Sequence, residues 1–351
     1  MLIYYYYYYY YYVAVVACFL AWRYRALSCF SWFAVFPTRG RLLQTKTNMS
    51  ATPREKYVWI LTYSACSSSM LIVNKLAVDS IPIPTLVSGV QLASCAAFVL
   101  AMHCAGITTV SMIGRSRALP FIIYTAIFAC GLFANMKALL LTNVGAVIAA
   151  RCCLPAIVCV IEWACMDRML PSLRSVLSLA GVISFGALHV MLSSGVEVSG
   201  TLGYIWLSIW WILLALSMTF GKWLTEKVEM TQWERVFYNN LFALPPTGVL
   251  VVATGDYASV ENITFGLREH SLLLISCIVG VGISYSGWRL RSTVSAASFT
   301  LVGVLNKMVT TAVTAVIWPE SSSMNASAAL IVCIAFGFLY EGAGKRPQAT
   351  K

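Results

Sequence analysis

The sequence has few charged residues and very few histidines. Charged residues make up 11% of the chain, and the three histidines, His103, His189 and His270, are not spaced from one another, from carboxylates or from cysteines as metal ligands are. The phosphate-binding loop Gly-x-x-x-x-Gly-Lys-Ser/Thr is also missing, so nothing indicates a pump driven by ATP. We therefore expect no metal site, no cofactor and no enzymatic activity.

Apolar residues dominate what is present. Hydrophobic residues account for 60% of the 351 residues, and the mean hydropathy of +0.78 is typical of a polytopic membrane protein. The twelve cysteines lie in apolar runs without zinc-type spacing, so we interpret them as small helix-packing residues. A net charge of +11 would suggest nucleic acid as a partner of a soluble protein, but the placement of the charges argues against that here.

Residues 1–48 are unusual in composition. Tyr4 to Tyr12 form an uninterrupted tyrosine run, and two apolar segments follow on either side of Arg23 and Arg25. One interpretation is a signal anchor, because an apolar run with basic flanks can be targeted to a membrane. The other, which we favour, is that Met49 is the start and residues 1–48 are an artefact of the gene model, because such a tyrosine run resembles a translated nucleotide repeat.

From Tyr57 onward, apolar segments of membrane-spanning length recur, separated by short polar connections. Ten such segments are predicted, at 57–78, 84–104, 118–141, 143–166, 173–193, 201–225, 232–254, 270–290, 292–317 and 325–341. They divide into a first five-helix unit over 57–193 and a second over 201–341. Residues 49–56 and the basic tail 342–351 flank these units.

Basic residues concentrate in the connections on one side of the predicted bundle. That side holds Arg115, Arg117, Arg168, Arg174, Lys227, Arg235, Arg289 and Arg291, together with the tail residues Lys345, Arg346 and Lys351. The other side holds Asp79, Glu197, Asp256, Glu261 and Glu320, with Arg268 as its one basic residue. The positive-inside rule therefore predicts that both termini are cytosolic.

Cations recur at corresponding positions of the two units. The first span carries Asn74-Lys75 and the sixth Lys222, while the fourth carries Arg151 and the ninth Lys307, in opposite orientation along the chain. This pattern is typical of inverted repeats with substrate bound between them. The predicted fold class is an all-α polytopic membrane protein with ten transmembrane helices arranged as two five-helix inverted repeats. Lys222, close to the end of its span, is expected to extend to the membrane surface.

Arg151 and Lys307 lie too deep in their spans to reach the membrane surface, and burying either charge unpaired is costly. Glu162 is the only acid well inside a span, and it follows Arg151 by eleven residues, about 16 Å along a helix. It is too far away to neutralise Arg151 directly. The excess of positive charge predicts an anionic ligand, with phosphate as the common choice; the alternative is that backbone carbonyls and hydroxyls solvate the two cations.

Asn239 and Asn240 are consecutive amides inside the seventh span. Each side chain offers donors and an acceptor, so the pair can read the edge of a nucleobase such as guanine. The alternative is that the asparagines bond to a neighbouring helix. Ser284-Tyr285-Ser286 in the eighth span adds hydroxyl groups of the same kind.

Two strings carry a resemblance to a known family. Phe237-Tyr238-Asn239-Asn240 and Gly303-Val304-Leu305-Asn306-Lys307 resemble the Phe-Tyr-Asn-Asn and Gly-Ala-Leu-Asn-Lys strings of nucleotide-sugar transporters in the drug/metabolite transporter superfamily, with Val304 in place of alanine. The similarity is to the Golgi GDP-mannose and other GDP-sugar transporters, in which these strings form the GDP-sugar site. It extends from about Tyr57 to Tyr340, and includes Tyr63 of the first span.

The resemblance implies a Golgi antiporter that exchanges cytosolic GDP-sugar for lumenal GMP by alternating access. It places Asn239, Asn240, Ser284 and Ser286 at the base, Arg151 and Lys307 at phosphate, Asn306 at ribose or diphosphate, and Tyr63 and Phe299 at the sugar. Further expected site residues are Asn74, Lys75, Tyr238, Tyr285 and Gly303. The expected partners are these nucleotides and membrane lipids, with a homodimer as a further option and no nucleic acid.

Phe299 departs from the family pattern, because many GDP-mannose transporters have a tyrosine at this position. The resemblance therefore specifies the GDP part of the substrate better than the mannose part. The alternative functions are transport of a UDP-sugar or a sugar phosphate within the same superfamily, and, from other classes, a membrane receptor or an integral membrane enzyme.

Overall fold

The structure is a computed structural model, and it describes residues 52–81, 83–193, 198, 200–255, 266–317 and 324–344. The predicted extension 1–48 and the tail from residue 345 lie outside these residues. Within the described part there is no β-strand, only an isolated bridge between Thr142 and Val198. The described chain is otherwise helical.

Ten helices lie in the described part of the chain, each on one of the predicted apolar segments. They are α1 (Pro53–Ser80), α2 (Pro84–Cys104), α3 (Arg115–Leu141), α4 (Val144–Cys165), α5 (Leu173–Ser193), α6 (Gly200–Lys227), α7 (Gln232–Thr254), α8 (Leu267–Thr293), α9 (Ala296–Ile317) and α10 (Met324–Phe338). The predicted apolar segments therefore give the helix positions to within a few residues.

Side-chain caps explain where several helices begin. Thr52 accepts a hydrogen bond from the Glu55 amide at 3.2 Å ahead of Pro53, which occupies the first helical position of α1. Asn143 accepts from the Ala146 amide at 2.9 Å at the start of α4. These caps satisfy amides that would otherwise have no partner at a helix start.

Six of these helices are long and apolar enough to cross a membrane: α2, α3 over Arg115–Asn135, α4 over Gly145–Cys165, α5, α6 and α8. Large apolar side chains are exposed on their outer faces, including Phe98 on α2, Ile122 on α3 and Ile278 on α8. Such exposure suits contact with lipid rather than water. The chain is a polytopic helical membrane protein.

Contacts between helix ends and connections divide the bundle into two ends. At one end, where α1 begins and α10 ends, the pairs are Glu55 with Arg289, Arg168 with Glu226, Arg174 with Glu341, and Ser111 with Glu234. We call this the termini end. At the opposite end Thr142 pairs with Val198, and the His189 ring lies 2.9 Å from the Ala326 carbonyl oxygen. The basic connections predicted to share one side therefore lie together at the termini end.

Each helix packs mainly on one or two others. The closest pairs are α1 with α8, α3 with α6, α2 with α7, α5 with α10 and α4 with both α5 and α9. Two apolar clusters fill the interior: one between α4, α5, α9 and α10 around Val158, Val182, Leu301 and Cys333, and one between α2, α3, α7 and α8 around Val99, Phe121, Val236 and Trp288. The polar residues of interest lie along and between these clusters.

Candidate substrate-binding site

Most of the predicted site residues lie at a similar depth in the bundle. With a helical rise of 1.5 Å per residue, Tyr63, Asn239, Ser284, Lys307 and Arg151 lie between about 10 and 21 Å along their helices from the termini end. Five different helices, α1, α7, α8, α9 and α4, supply them. The sequence strings that looked unrelated along the chain therefore occupy one central layer.

Arg151 is held on α4 by two tryptophans of α6. Its guanidinium carbon lies 5.0 Å from the centre of the Trp210 ring, which is 2% exposed. The next residue, Trp211, donates from its indole nitrogen to the Ala150 carbonyl at 2.8 Å, which fixes α6 against α4 beside the arginine. Among the described residues no carboxylate lies within ion-pair distance of Arg151. Its charge is compensated only by the face of an aromatic ring.

Lys307 lies at the middle of α9 and is half-buried. It is close enough to Arg151 for the two positive charges to repel each other, and no described carboxylate pairs with it. Beside it, the Asn306 side chain is 7% exposed and its Nδ2 has no hydrogen-bond partner among the described residues. Two like charges thus lie within electrostatic range of each other in the membrane interior, with an unused amide donor next to Lys307 along α9, an arrangement that an anionic ligand would stabilise.

Open space lies next to this group. A Cβ built on Gly303, one turn before Lys307 on α9, would meet no described atom within 4 Å. By contrast, a Cβ on Gly181 of α5 would collide with the Phe336 ring. Gly303 therefore borders a space, whereas Gly181 serves close helix packing.

Tyr63 and Phe299, both predicted to face the sugar, lie in contact with each other. Their ring centres are 5.2 Å apart, in a tilted arrangement that joins α1 to α9. The Tyr63 hydroxyl is within the electrostatic influence of both Arg151 and Arg291. The pair therefore connects the Arg151–Lys307 group to Arg291 at the termini end.

The amides and hydroxyls of α7 and α8 form a second group. Asn239 is half-buried, whereas Asn240 is 3% exposed and donates from Nδ2 to the Val236 carbonyl of its own helix at 2.7 Å. Ser286 is equally local, because its hydroxyl donates to the Gly282 carbonyl at 2.7 Å. Ser284 lies near the thiol of Cys95 on α2. In this conformation the Oδ1 of Asn240 and the side chain of Asn239 are the polar groups left to read a base.

Asn74 lies apart from this layer, whereas Tyr238 and Tyr285 adjoin its residues in the chain and contact other parts of the bundle. Asn74 accepts from Gln91 at 2.8 Å, about 30 Å along α1 from its beginning, and the side chain of Lys75 is outside the described part of the chain. The Tyr238 hydroxyl donates to the Ser111 carbonyl at 2.7 Å and accepts from the Ile113 amide at 3.1 Å, so it anchors the connection before α3. Tyr285 stacks on Trp233 with ring centres 4.2 Å apart.

The expectation that Lys222 extends to the membrane surface is wrong. Its side chain is 4% exposed, donates to the Arg291 carbonyl at 2.8 Å and lies 3.5 Å from Glu226. The half-buried Glu226 carboxylate and the Arg291 carbonyl thus replace the water that the ammonium would have contacted at the surface. Lys222 ties α6 to the end of α8.

Glu162 turns toward the termini end, away from Arg151. Its two carboxylate oxygens accept from the Ala296 and Ala297 amides at 2.8 and 3.1 Å, which caps the first turn of α9, and Arg168 lies 3.9 Å away. It is 3% exposed. Glu162 therefore joins the two helices that carry Arg151 and Lys307 rather than neutralising either cation.

Sequence reasoning missed Arg291 as a site residue and assigned it to a connection. Helix α8 continues to Thr293, and the Arg291 side chain turns inward, where Nη1 donates to the Tyr124 hydroxyl at 2.6 Å. Trp210 was missed as well, because one tryptophan among many on an apolar helix carries no distinguishing pattern. For Arg291 the available signal was its position eight residues before Phe299, across a two-residue connection.

The sequence is similar to those of known transporters. No family model matches the chain. It is 26% identical over 289 residues to GDP-fucose transporter 1 of Arabidopsis thaliana, covering 80% of this chain and 84% of that protein. It is 27% identical over 299 residues to the GDP-mannose transporter GONST3 of the same plant, covering 82% and 79%. GDP-mannose transporter 1 of Saccharomyces cerevisiae is 34% identical over 119 residues, 33% of this chain and 35% of that one.

The fold has a counterpart among solved structures. One, titled only as a crystal structure of a protein, superimposes with a TM-score of 0.60 at 12% identity, covering 82% of this chain and 96% of that one. The three sequence relatives given above are named as transporters, in agreement with the expectation that the chain is not an enzyme. Two of them align over about four-fifths of the chain, and both strings are present, so the chain is similar to nucleotide-sugar transporters over most of its length.

Proposed function

We propose that the protein is an antiporter that carries a GDP-sugar from the cytosol into the Golgi lumen and returns GMP. The observation that supports this most directly is the pair Arg151 and Lys307, two cations within mutual repulsion that have no carboxylate partner among the described residues. The relatives named for GDP-fucose and GDP-mannose supply the substrate class.

A phosphate group suits this pair of cations for electrostatic reasons. Two like charges inside a membrane protein destabilise it unless an anion lies between them. A diphosphate bridge or a terminal phosphate carries about two negative charges and accepts charge-assisted hydrogen bonds from arginine and lysine. The unused Nδ2 of Asn306 adds a third donor on the same helix as Lys307. Exchange of one nucleotide for another would keep these cations neutralised in both facing states.

The base is assigned to α7 and α8. Guanine presents an N1–H and an N2 amino group as adjacent donors, and the Oδ1 atoms of Asn239 and Asn240 are acceptors at the depth of Lys307. Because Asn240 Nδ2 already donates to Val236, its orientation is fixed and Oδ1 is directed away from that carbonyl. Ser284, three residues along α8 from Val281, would assist with its hydroxyl at the same depth.

Helix pairing supports the proposal of ten spans in two inverted five-helix repeats. If α1 to α5 are equated in order with α6 to α10, the pair α1–α8 becomes α6–α3, which is also observed. The pairs α2–α7, α4–α9 and α5–α10 each map onto themselves. Rocking of such repeats about a central layer would give alternating access. Helices α1, α7 and α9, with 28, 23 and 22 residues, are long enough to be spans in addition to the six apolar ones.

The proposed orientation places both termini in the cytosol. Arg115, Arg117, Arg174 and Lys227 all lie at the termini end, where the positive-inside rule expects basic residues to face the cytosol. Residence in the Golgi membrane follows from the family resemblance.

The test is nucleotide exchange by purified protein in liposomes preloaded with GMP. Uptake of GDP-mannose, GDP-fucose, GDP-arabinose and UDP-galactose is compared in parallel, and we expect GDP-sugars to be taken up and UDP-galactose to be excluded. Preference for UDP-galactose would contradict the base assignment to α7. Empty liposomes provide the control for antiport, because uptake without lumenal GMP would argue against exchange.

Two variants assign the roles within that assay. Asn240→Ala and Lys307→Ala should each abolish uptake while the protein still folds, the first through the base and the second through phosphate. Glu341→Gln, which removes an exposed ion pair with Arg174 at the termini end, is the matched control and should transport normally. Normal uptake by either alanine variant would refute the role given to that residue.

A further inference from the structure

Arg291 lies in an aromatic cage at the termini end of the central layer. Its guanidinium carbon is 4.5 Å from the centre of the Phe299 ring, 5.3 Å from that of Trp288 and 5.6 Å from that of Tyr124. Nη1 donates to the Tyr124 hydroxyl at 2.6 Å. The cage joins α3, α8 and α9, because each of the three supplies at least one ring.

Close helix packing makes the cage possible. A Cβ on Gly221 of α6 would collide with Arg291 Nη1, so only glycine at this position lets the guanidinium lie against α6. The Arg291 carbonyl also accepts from Lys222 Nζ at 2.8 Å. The arginine is thus held by both its backbone and its side chain between α6 and α8.

The cage contains no negative charge. No carboxylate of the described chain lies within ion-pair distance of Arg291, and its polar side-chain partner is a neutral phenol. Arg289 offers a direct comparison: it lies two residues earlier on α8, its guanidinium is 5.1 Å from the Trp59 ring, and it pairs with Glu55 at 3.1 Å. A carboxylate is therefore within reach of one arginine at this end of α8, whereas Arg291 contacts aromatic rings instead.

The cage shares residues with the substrate layer. Phe299 contacts both Arg291 and the ring of Tyr63, and the Tyr63 hydroxyl is within the electrostatic influence of Arg291 and Arg151. Arg291, Arg151 and Lys307 thus form a series of cations that passes along Tyr63.

We propose that Arg291 is a third phosphate-binding cation of this site, and that the Tyr124 hydroxyl and the nucleotide phosphate compete for its guanidinium. This rests on the proposed function, which supplies the phosphate. While Arg291 donates to Tyr124, it links α3 to α8 and closes the termini end. Arrival of a phosphate draws the guanidinium away and breaks that link, because a hydrogen bond to an anion is stronger than one to a neutral hydroxyl. Opening toward the cytosol is thereby coupled to occupancy by an anion.

The experiment measures binding of GMP and of guanosine to purified protein in detergent, by isothermal titration calorimetry. Arg291→Gln should weaken the binding of GMP by about tenfold or more and leave the binding of guanosine unchanged, because only GMP carries a phosphate. Arg289→Gln, the matched control on the same helix end, should leave both unchanged. Equal loss for GMP and guanosine in Arg291→Gln, or no loss for either, would overturn the proposal.

Tyr124→Phe tests the competition while keeping all three rings. Removing the hydroxyl should tighten GMP by about threefold or more, because the closed conformation loses its bond to Arg291. It should also raise uptake into liposomes that contain no GMP, since the link no longer depends on an anion. A weaker GMP affinity in Tyr124→Phe, comparable to that of Arg291→Gln, would show that the pair only stabilises the fold and would overturn the proposal.

Failure of the proposed function gives a different result. If wild-type protein binds UMP and not GMP, the GDP-sugar assignment fails, and the Arg291 comparison is made with UMP and uridine instead. The proposal for Arg291 then stands if Arg291→Gln weakens the binding of UMP but not that of uridine. It is refuted if the variant weakens both or neither.

Discussion

Glu162 should be among the most important residues for the stability of this bundle, although it contacts no proposed substrate group. Its carboxylate accepts from the Ala296 and Ala297 amides at 2.8 and 3.1 Å, and it is 3% exposed. The perturbation to make is Glu162→Ala. It leaves two buried amides at the start of α9 without an acceptor and removes a negative charge from the positive end of that helix.

The magnitude follows from these contacts. Each buried amide left without a partner costs about 1–3 kcal/mol, and removing one member of a buried charged group typically costs about 3–5 kcal/mol in total. Arg168 keeps Glu226 at 2.8 Å, so it is not stranded and adds little to the cost. We therefore expect Glu162→Ala to lower the free energy of unfolding by about 3–5 kcal/mol. Glu162→Gln should cost less, because the amide oxygen still accepts one of the two bonds.

The assay is unfolding of the purified protein in detergent, followed by loss of the monomer peak in size-exclusion chromatography after heating or titration with denaturant. Glu341→Gln is the control, because its partner Arg174 and the glutamate itself have side chains 59% and 64% exposed. Such an exposed pair contributes about 0–1 kcal/mol, so the control should unfold close to wild type. The reasoning is refuted if Glu162→Ala is as stable as Glu341→Gln to within about 0.5 kcal/mol.

Two further variants probe the central layer. Phe299→Tyr supplies the hydroxyl that many GDP-mannose transporters have at this position. It should raise uptake of GDP-mannose relative to GDP-fucose by roughly two- to tenfold in a competition assay. An unchanged uptake ratio would show that residue 299 does not contact the sugar. Gly303→Ala adds a methyl group to open space, so its free energy of unfolding should lie within about 0.5 kcal/mol of wild type while uptake falls. Gly181→Ala should instead lower the free energy of unfolding by about 1–3 kcal/mol, because its methyl group would collide with Phe336. Normal uptake by Gly303→Ala would show that substrate does not pass beside this glycine.

The position of each helix along the chain was predictable, because a membrane requires about 20 apolar residues per span and polar residues between them. The predicted segments 84–104, 173–193 and 232–254 coincide with α2, α5 and α7. The depth of Arg151 and Lys307 followed from the same periodic rise. The depth of a residue along its helix depends only on how many residues separate it from the end of the span, so it can be read from the sequence.

Lateral placement was not predictable to the same degree, since it depends on which helices face one another. Lys222 lies one turn from the end of α6, where a lysine on an isolated helix would extend to the surface. In the bundle, the end of α8 lies against α6 and supplies a carbonyl in place of water. Sequence spacing could not reveal this partner, because Lys222 and Arg291 are 69 residues apart.

The same distinction explains why a cation at the end of a span indicates a ligand less clearly than a cation at its centre, although the proposed Arg291–Tyr124 link lies at the end of a span. A lysine or arginine at mid-span has no route to water, so its presence alone predicts a ligand or a partner. At a span end the side chain has two outcomes, and Arg289 and Arg291 show both within one turn of α8: the first pairs with Glu55, while the second turns inward among rings. The inward cation contacts three rings and a neutral hydroxyl but no carboxylate of the described residues, so an anion would be a stronger partner than the hydroxyl that it now has. A residue that must release one partner and take another during transport is expected at such a position, where neither state is strongly preferred.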